Sequence, residues 1–143
     1  MFTYEVACHL STRFAAMASY AGTMPVSPAR CAPPEAMGIM HIHGFDDGTI
    51  AYGSPWEWKN WDSVGAMMDI PALVDFWRER FDCQSSATNE SSSSSHNVHT
   101  DCTSGVRVEH HGLYNVGHEW PEQIDGTSTH EVIWSFVSEF RKP

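Results

Sequence analysis

Residues 117–121 of the chain, GHEWP, directly follow a segment, 106–116, that opens with the apolar and polar alternation of a strand. A Gly-His turn that leaves a strand presents its imidazole at the strand's C-terminal end, where open parallel sheets build their ligand sites. A second strand-like segment, 37–43, runs into the acidic turn of residues 43–52, HGFDDGTIAY. We therefore expect the two turns to bring His118 and a carboxylate side by side.

The rest of the chain supplies helices and a further strand. Apolar residues four apart predict a short helix over 2–10, and the small, apolar run 14–22 predicts a strand buried on both faces. Pro71 suits the first turn of a helix over 71–81, and residues 128–131 form a capping-box pattern ahead of a C-terminal helix. The order α-β-loop-β-α-loop-β-α predicts an α/β fold with a mostly parallel sheet and flanking helices.

One segment of the chain lacks any periodicity. Residues 84–104 contain an unbroken serine run, Ser91 to Ser95, among other polar residues. We expect a Ser-rich surface loop there, inserted in a single α/β domain that spans residues 1–143.

The formal net charge of -10 at pH 7 argues against two classes of partner. Nucleic acid and anionic membrane surfaces are bound by an excess of Lys and Arg, so we expect neither as a partner. A neutral or apolar substrate fits the charge better. No apolar run approaches the length that spans a bilayer, and the sequence opens without the basic region and cleavage site of a signal peptide.

Several short motifs occur in the order of a known family. They are HG-x-x-D-G-x-x-x-Y over 43–52, Trp77 shortly before Cys83, C-x-x-G over 102–105 and G-H-x-W-P over 117–121. In order and spacing they resemble the α/β-hydrolase esterases of the polyhydroxybutyrate depolymerase and feruloyl esterase type. The resemblance covers nearly the whole chain, with the Ser-rich loop as an addition.

The resemblance implies ester hydrolysis by a Ser-His-Asp acyl-enzyme mechanism, which requires no organic or metal cofactor. His118 would be the general base, because imidazole exchanges protons near neutral pH. Asp47 would orient His118 and stabilise the imidazolium as it forms. The family places its carboxylate three positions after HG, which favours Asp47 over Asp46.

The serine nucleophile of the family has no counterpart in these residues. The family carries it in G-x-S-x-G-G, just ahead of a helix that resembles residues 2–10, and no G-x-S-x-G occurs in the chain. We therefore expect the C-terminal part of a serine esterase for hydroxyalkanoate-type or feruloyl-type esters, inactive alone. A missing neighbouring strand would leave 14–21 as an exposed sheet edge, so we expect aggregation, dimerisation through that edge or marginal stability.

Tryptophans near the two turns are candidates for substrate binding. Trp120 would either floor the pocket or anchor its turn in the core, and the sequence leaves both open. Trp56, together with Trp58 and Trp61, would form either an aromatic rim for a flat substrate or a small core beneath a loop.

The cysteines predict two disulfides. Cys83 follows the 71–81 helix and Cys102 precedes the strand that leads to His118, so a bridge between them would close the Ser-rich loop. Cys8 and Cys31 would form the second bridge, with a buried free thiol at Cys8 as the alternative.

The cysteine count also bears on localisation. An even number of cysteines and the glycosylation sequon at 89–91 are typical of extracytoplasmic proteins, although such a sequon also occurs by chance. Together with the resemblance, they predict an extracellular parent protein.

Two other functions fit parts of the sequence. His41 and His43 lie on one face of a strand, and metal-dependent hydrolases use such pairs, with Asp47 and His118 completing a site. GHEWP lacks the second histidine of H-E-x-x-H, which argues against a metal. The other alternative is a non-catalytic remnant whose tryptophans still bind an ester polymer or an aromatic acid.

Overall fold

The computed structural model describes residues 2–25, 30–54 and 66–142, and the backbone of 56–57. Its helices are α1 (Phe2–Leu10), α2 (Ile70–Arg80) and α3 (Thr129–Val137). Its strands are β1 (Ala16–Tyr20), β2 (Gly38–Gly44), β3 (Trp56–Glu57), β4 (Ala66–Met67), β5 (Ser85–Glu90), β6 (Ser94–Thr100), β7 (Val108–Leu113), β8 (Gln123–Ile124) and β9 (Thr127–Ser128). Every helix and strand that we expected from the sequence is present. The side chains of Trp56, Trp58 and Trp61, which we expected as an aromatic rim or a small core, are not among those that the structure describes.

The fold is mixed α/β, around a five-stranded sheet in the order β1-β2-β7-β6-β5. The pairings β1 with β2 and β2 with β7 are parallel, whereas β7 with β6 and β6 with β5 are antiparallel. The two small sheets, β3-β4 and β8-β9, are antiparallel as well. The expectation of a mostly parallel sheet is therefore not confirmed, because antiparallel pairings outnumber parallel ones in the described part of the chain.

Residues 84–104 correct a second expectation. They form the β5-β6 hairpin and a one-turn 3-10 helix (Thr103–Gly105) rather than an irregular loop. The β6 strand pairs with β7 from Ser94 opposite Leu113 to His99 opposite Val108. Every residue of β5 is exposed, so this strand needs no apolar face. Backbone hydrogen bonds to the neighbouring strands hold the hairpin in place, which is why its sequence shows no apolar periodicity.

The sheet is covered on both faces. On one face, α1 and α2 pack Tyr4, Leu73 and Trp77 against Ile39 of β2. On the other face, α3 packs Phe136 among Met40, Ile42 and Leu113. All seven residues of β2 are buried between these layers, which explains its continuous apolar sequence.

The start of α3 differs from the capping-box expectation. The side chain of Ser128 makes no capping hydrogen bond. Instead, the N–H of Thr129 donates to the carbonyl oxygen of Glu122 over 3.1 Å, and its hydroxyl donates to the carbonyl oxygen of Pro121. The helix start is therefore tied to the segment that follows His118.

Both expected disulfides are present. Cys8 of α1 is bonded to Cys31, and Cys83 is bonded to Cys102 across the base of the hairpin. Disulfides are typical of oxidising compartments, so the bonds are compatible with an extracellular protein. No described helix has the length and apolarity needed to cross a membrane.

Opening the hairpin bridge should destabilise the fold. For the double variant C83S/C102S we expect a loss of about 3 kcal/mol in the free energy of unfolding, because the bridge closes a loop with a sequence separation of 19 residues. Urea unfolding under non-reducing conditions measures the loss. An unchanged midpoint would contradict a stabilising effect of the bridge on the folded state relative to the unfolded chain.

Candidate active site

The parallel pairing of β2 with β7 places two turns at one edge of the sheet. Asp47 lies three residues beyond the end of β2, and His118 lies five residues beyond the end of β7. Because parallel strands end on the same side, both turns project from the C-terminal edge. A groove at the opposite edge, lined by Ala15, Glu35 and Phe140, contains neither residue.

Asp47 and His118 form a direct hydrogen bond. Nδ1 of His118 lies 2.8 Å from Oδ2 of Asp47, and a carboxylate can only accept, so Nδ1 carries the proton. The Asp47 side chain is fully buried, whereas the His118 side chain is 45% exposed. The neighbouring Asp46 is exposed. The structure thus brings together the expected pair, and it is Asp47, not Asp46, that bonds to His118.

The backbone of its own turn holds Asp47 in its ionised form. Oδ1 of Asp47 accepts the N–H groups of Thr49 and Ile50, each over 2.8 Å. Burial by itself would raise the pKa of Asp47, but the bonds from Ile50, His118 and Thr49 outweigh it and lower the pKa. Asp47 is therefore a charged acceptor with both oxygens in use.

His43 of β2 lies beside Asp47, and His41 of the same strand lies next to His43. Burial lowers the pKa of His41 well below its usual value, and the imidazoles of His110 and His43 lower it further. Burial also lowers the pKa of His43, against the raising effects of the Ile50 carbonyl and of Asp47. Both rings are consequently neutral at pH 7.

Because both rings are neutral, the donor and the acceptor of each hydrogen bond made by His41 and His43 can be assigned. The carbonyl oxygen of Ile50 can only accept, so Nε2 of His43, at 2.9 Å, carries a proton. That nitrogen also lies 3.2 Å from Oδ2 of Asp47. Nδ1 of His43 accepts from Nε2–H of His41 over 3.1 Å, and Nδ1 of His41 accepts the hydroxyl hydrogen of Tyr4. All four ring nitrogens of His41 and His43 are thus engaged, so the pair offers no free nitrogen to a metal ion.

Gly44 allows the two turns to approach each other. A Cβ at this position would lie 2.1 Å from the carbonyl oxygen of Val116 and 2.5 Å from that of Gly117. The N–H of Asp46 uses this proximity to donate to the carbonyl oxygen of Val116 over 3.0 Å. The turn that carries His118 therefore crosses the end of β2 in backbone contact.

Tyr20 holds the other side of the His118 turn, a role that we did not predict. Its hydroxyl donates to the carbonyl oxygen of Glu119, and its ring lies edge-on to Trp120 with 5.2 Å between centroids. Tyr20 is the last residue of β1, so its position at the same sheet edge could have been noted from the strand order. Trp120 also packs near His130 and remains 40% exposed. Its substrate-binding role stays a prediction.

Comparison with known proteins gave no match. No protein-family model, no curated protein and no solved structure matches the chain. The geometry of Asp47 and His118, and the motifs around them, are therefore the grounds for any functional proposal.

Adding one methyl group at Gly44 should separate the two turns. We expect G44A to lower the free energy of unfolding by about 1–3 kcal/mol, the usual cost of overpacking, because the new Cβ would overlap backbone. We also expect the parent chain to give an Nδ1–H proton NMR signal for His118, because this proton is bonded to Asp47, and G44A to lose that signal.

The matched control for this substitution is G48A. Gly48 lies beside Asp47, but a Cβ there would meet nothing within 4 Å. We expect G48A to stay within about 0.5 kcal/mol of the parent and to keep the Nδ1–H signal. Equal effects of the two substitutions would contradict the close approach at Gly44.

The buried histidines His41 and His43 should make folding stability depend on pH. The pKa values of His41 and His43 are lowered by folding, so the unfolded chain binds more protons at these rings than the folded chain does as pH falls below about 6.5. Stability is therefore complete above pH 6.5 and declines below it, by up to about 1.4 kcal/mol per pH unit for each ring. Urea midpoints at pH 7.5 and 5.5 measure the decline.

Asp47 acts over a different pH range. Its pKa is lowered, so its contribution is present above its unfolded value of about 3.9 and is lost only as pH falls further. A decline between pH 7.5 and 5.5 can thus be assigned to buried imidazoles. A flat profile over this range would contradict neutral, buried His41 and His43.

Proposed function

We propose that this chain supplies the general base and its orienting carboxylate to a serine carboxylic-ester hydrolase. In this proposal it is the C-terminal part of an esterase domain of the polyhydroxybutyrate depolymerase or feruloyl esterase type. The observation that carries the proposal is the bond between buried Asp47 and half-exposed His118 at the C-terminal edge of two parallel strands. The motifs around both residues support the same reading.

The proton arrangement suits general-base catalysis. Because Nδ1 of His118 donates to Asp47, its Nε2 carries the lone pair. Nε2 would take the serine hydroxyl proton as Oγ bonds to the ester carbonyl carbon, and would return it to the departing alcohol oxygen. In the second step Nε2 would take a proton from water as the water oxygen bonds to the acyl carbon; the bond between that carbon and Oγ would break, and Nε2 would return the proton to Oγ, which releases the acid. Asp47 would stabilise the imidazolium in both steps.

The nucleophile is proposed to lie outside these 143 residues. Within the described residues, no serine hydroxyl forms a hydrogen bond with His118. The strand β1 ends the sheet, and none of the described strands pairs with its outer side. A preceding strand that carries the nucleophile elbow would find an open edge there, next to Tyr20 and the His118 turn.

The substrate class follows from charge and from the resemblance. A net charge of -10 disfavours polyanionic substrates and fits a neutral ester. The partly exposed ring of Trp120, adjoining the His118 turn, offers an apolar contact for it. We propose hydroxyalkanoate or feruloyl esters as substrates and an extracellular location for the intact protein.

The decisive experiment uses the continuous protein. The coding sequence upstream of Met1 is read for an in-frame G-x-S-x-G-G, and the continuous product is assayed with p-nitrophenyl butyrate. We expect H118A to abolish turnover. D47N should lower kcat by about 10,000-fold, because an amide would hold His118 in the wrong tautomer.

The control variant is D46N. Asp46 is the exposed neighbour of Asp47, so its substitution should leave kcat unchanged. Equal losses in D46N and D47N would contradict the assigned carboxylate. Ester hydrolysis by the 143-residue chain alone, abolished by H118A, would contradict a nucleophile supplied from outside.

A further inference from the structure

A second polar cluster lies in the same sheet, on the face away from His41 and His43. His96 of β6 is directly opposite His111 of β7, and their rings stack with 3.9 Å between centroids. Glu109 precedes His111 by two residues on β7, so its side chain shares that face. Its Oε2 lies 2.9 Å from Nε2 of His96 and 4.0 Å from Nε2 of His111.

His111 is the unusual member of this cluster. It is only 6% exposed, yet neither of its ring nitrogens has a hydrogen-bond partner among the residues that the structure describes. Leaving a buried polar group unpaired costs about 1–3 kcal/mol. Such groups are rare in folded proteins and indicate a missing partner, such as a water molecule or an ion.

Glu109 is held in a position that suits a metal ligand. Its Oε1 accepts from Nε of Arg107, while Nη1 of Arg107 donates to Oε2 of Glu139 over 2.6 Å. The Arg107 charge is thus shared between two carboxylates, and Oε2 of Glu109 faces the histidines. Partners of this kind, behind the ligand atom, orient carboxylate ligands in metal sites.

We propose that His96, Glu109 and His111 bind a zinc ion. One donor atom from each residue lies within 4.8 Å of the others. Donors around a tetrahedral zinc are about 3.3 Å apart, so the donors must move closer, and the stacked rings of His96 and His111 must tilt apart to direct a lone pair each at one ion. Two imidazoles and one carboxylate form a ligand set that zinc accepts, and the fourth position remains for water. The His96 side chain is 27% exposed, which gives the ion a route from solvent.

The site is separate from Asp47 and His118 and does not depend on their function. The donors project from the middle of β6 and β7, whereas the Asp47 pair lies beyond the strand ends. Zinc would link β6 of the hairpin to the buried strand β7. Since it would bind the folded chain only, it should stabilise the sheet at the point where the antiparallel strands join it.

Isothermal titration of chelator-treated, dialysed protein with zinc chloride tests the proposal. We expect one zinc ion per chain, an unfolding midpoint that rises with zinc concentration, and at least tenfold weaker binding by H96N and by E109Q. Because His96 is partly exposed, H96N should still fold, and circular dichroism verifies it. Cobalt should bind competitively and give the visible absorption of a four-coordinate ion.

The matched control is H99N. His99 lies on β6 three residues from His96, on the opposite face, where it bonds to Ser86. The H99N variant should bind zinc with the same affinity as the parent chain. Absence of binding by the parent, or equal weakening by H96N and H99N, would overturn the site.

Discussion

Hydrogen bonds to the buried carboxylate of Asp47 are the interactions on which the C-terminal edge of the sheet depends. The carboxylate accepts two backbone N–H groups of its own turn and Nδ1–H of His118, and it lies beside Nε2 of His43. A buried charge is tolerated only when such bonds replace water. The same contacts therefore shape the turn after β2, keep the carboxylate ionised and fix the tautomer of His118.

Backbone geometry makes this arrangement available. Parallel pairing of β2 with β7 brings the two turns to one edge, and the absence of a side chain at Gly44 lets Val116 approach the end of β2. Tyr20 fixes the far side of the His118 turn from a third strand. Three neighbouring strand ends thus position one imidazole, although they lie far apart in sequence.

The two histidine clusters show how burial acts through available partners. His41 and His43 are buried with every ring nitrogen bonded, which makes them part of a hydrogen-bonded support beneath Asp47. His111 is buried with neither nitrogen bonded within the described chain. Histidines on opposite faces of one sheet therefore lead to different inferences. His41 and His43 have a structural role, whereas His111 belongs to the proposed zinc site.

The sequence by itself determined the apolar helices and strands and the pairing of Cys83 with Cys102, and its motifs predicted the pairing of Asp47 with His118, because periodicity and short motifs depend on near neighbours. It left Cys8 either bonded to Cys31 or free, and the tertiary structure decided for the bond. The sequence did not reveal the β5-β6 hairpin, since these polar strands are held by backbone pairing to β7 rather than by an apolar face. It also missed the role of Tyr20 and the contact between His96 and His111. Only the tertiary structure decided these features, because strand register, and not residue type, sets which side chains meet across a sheet.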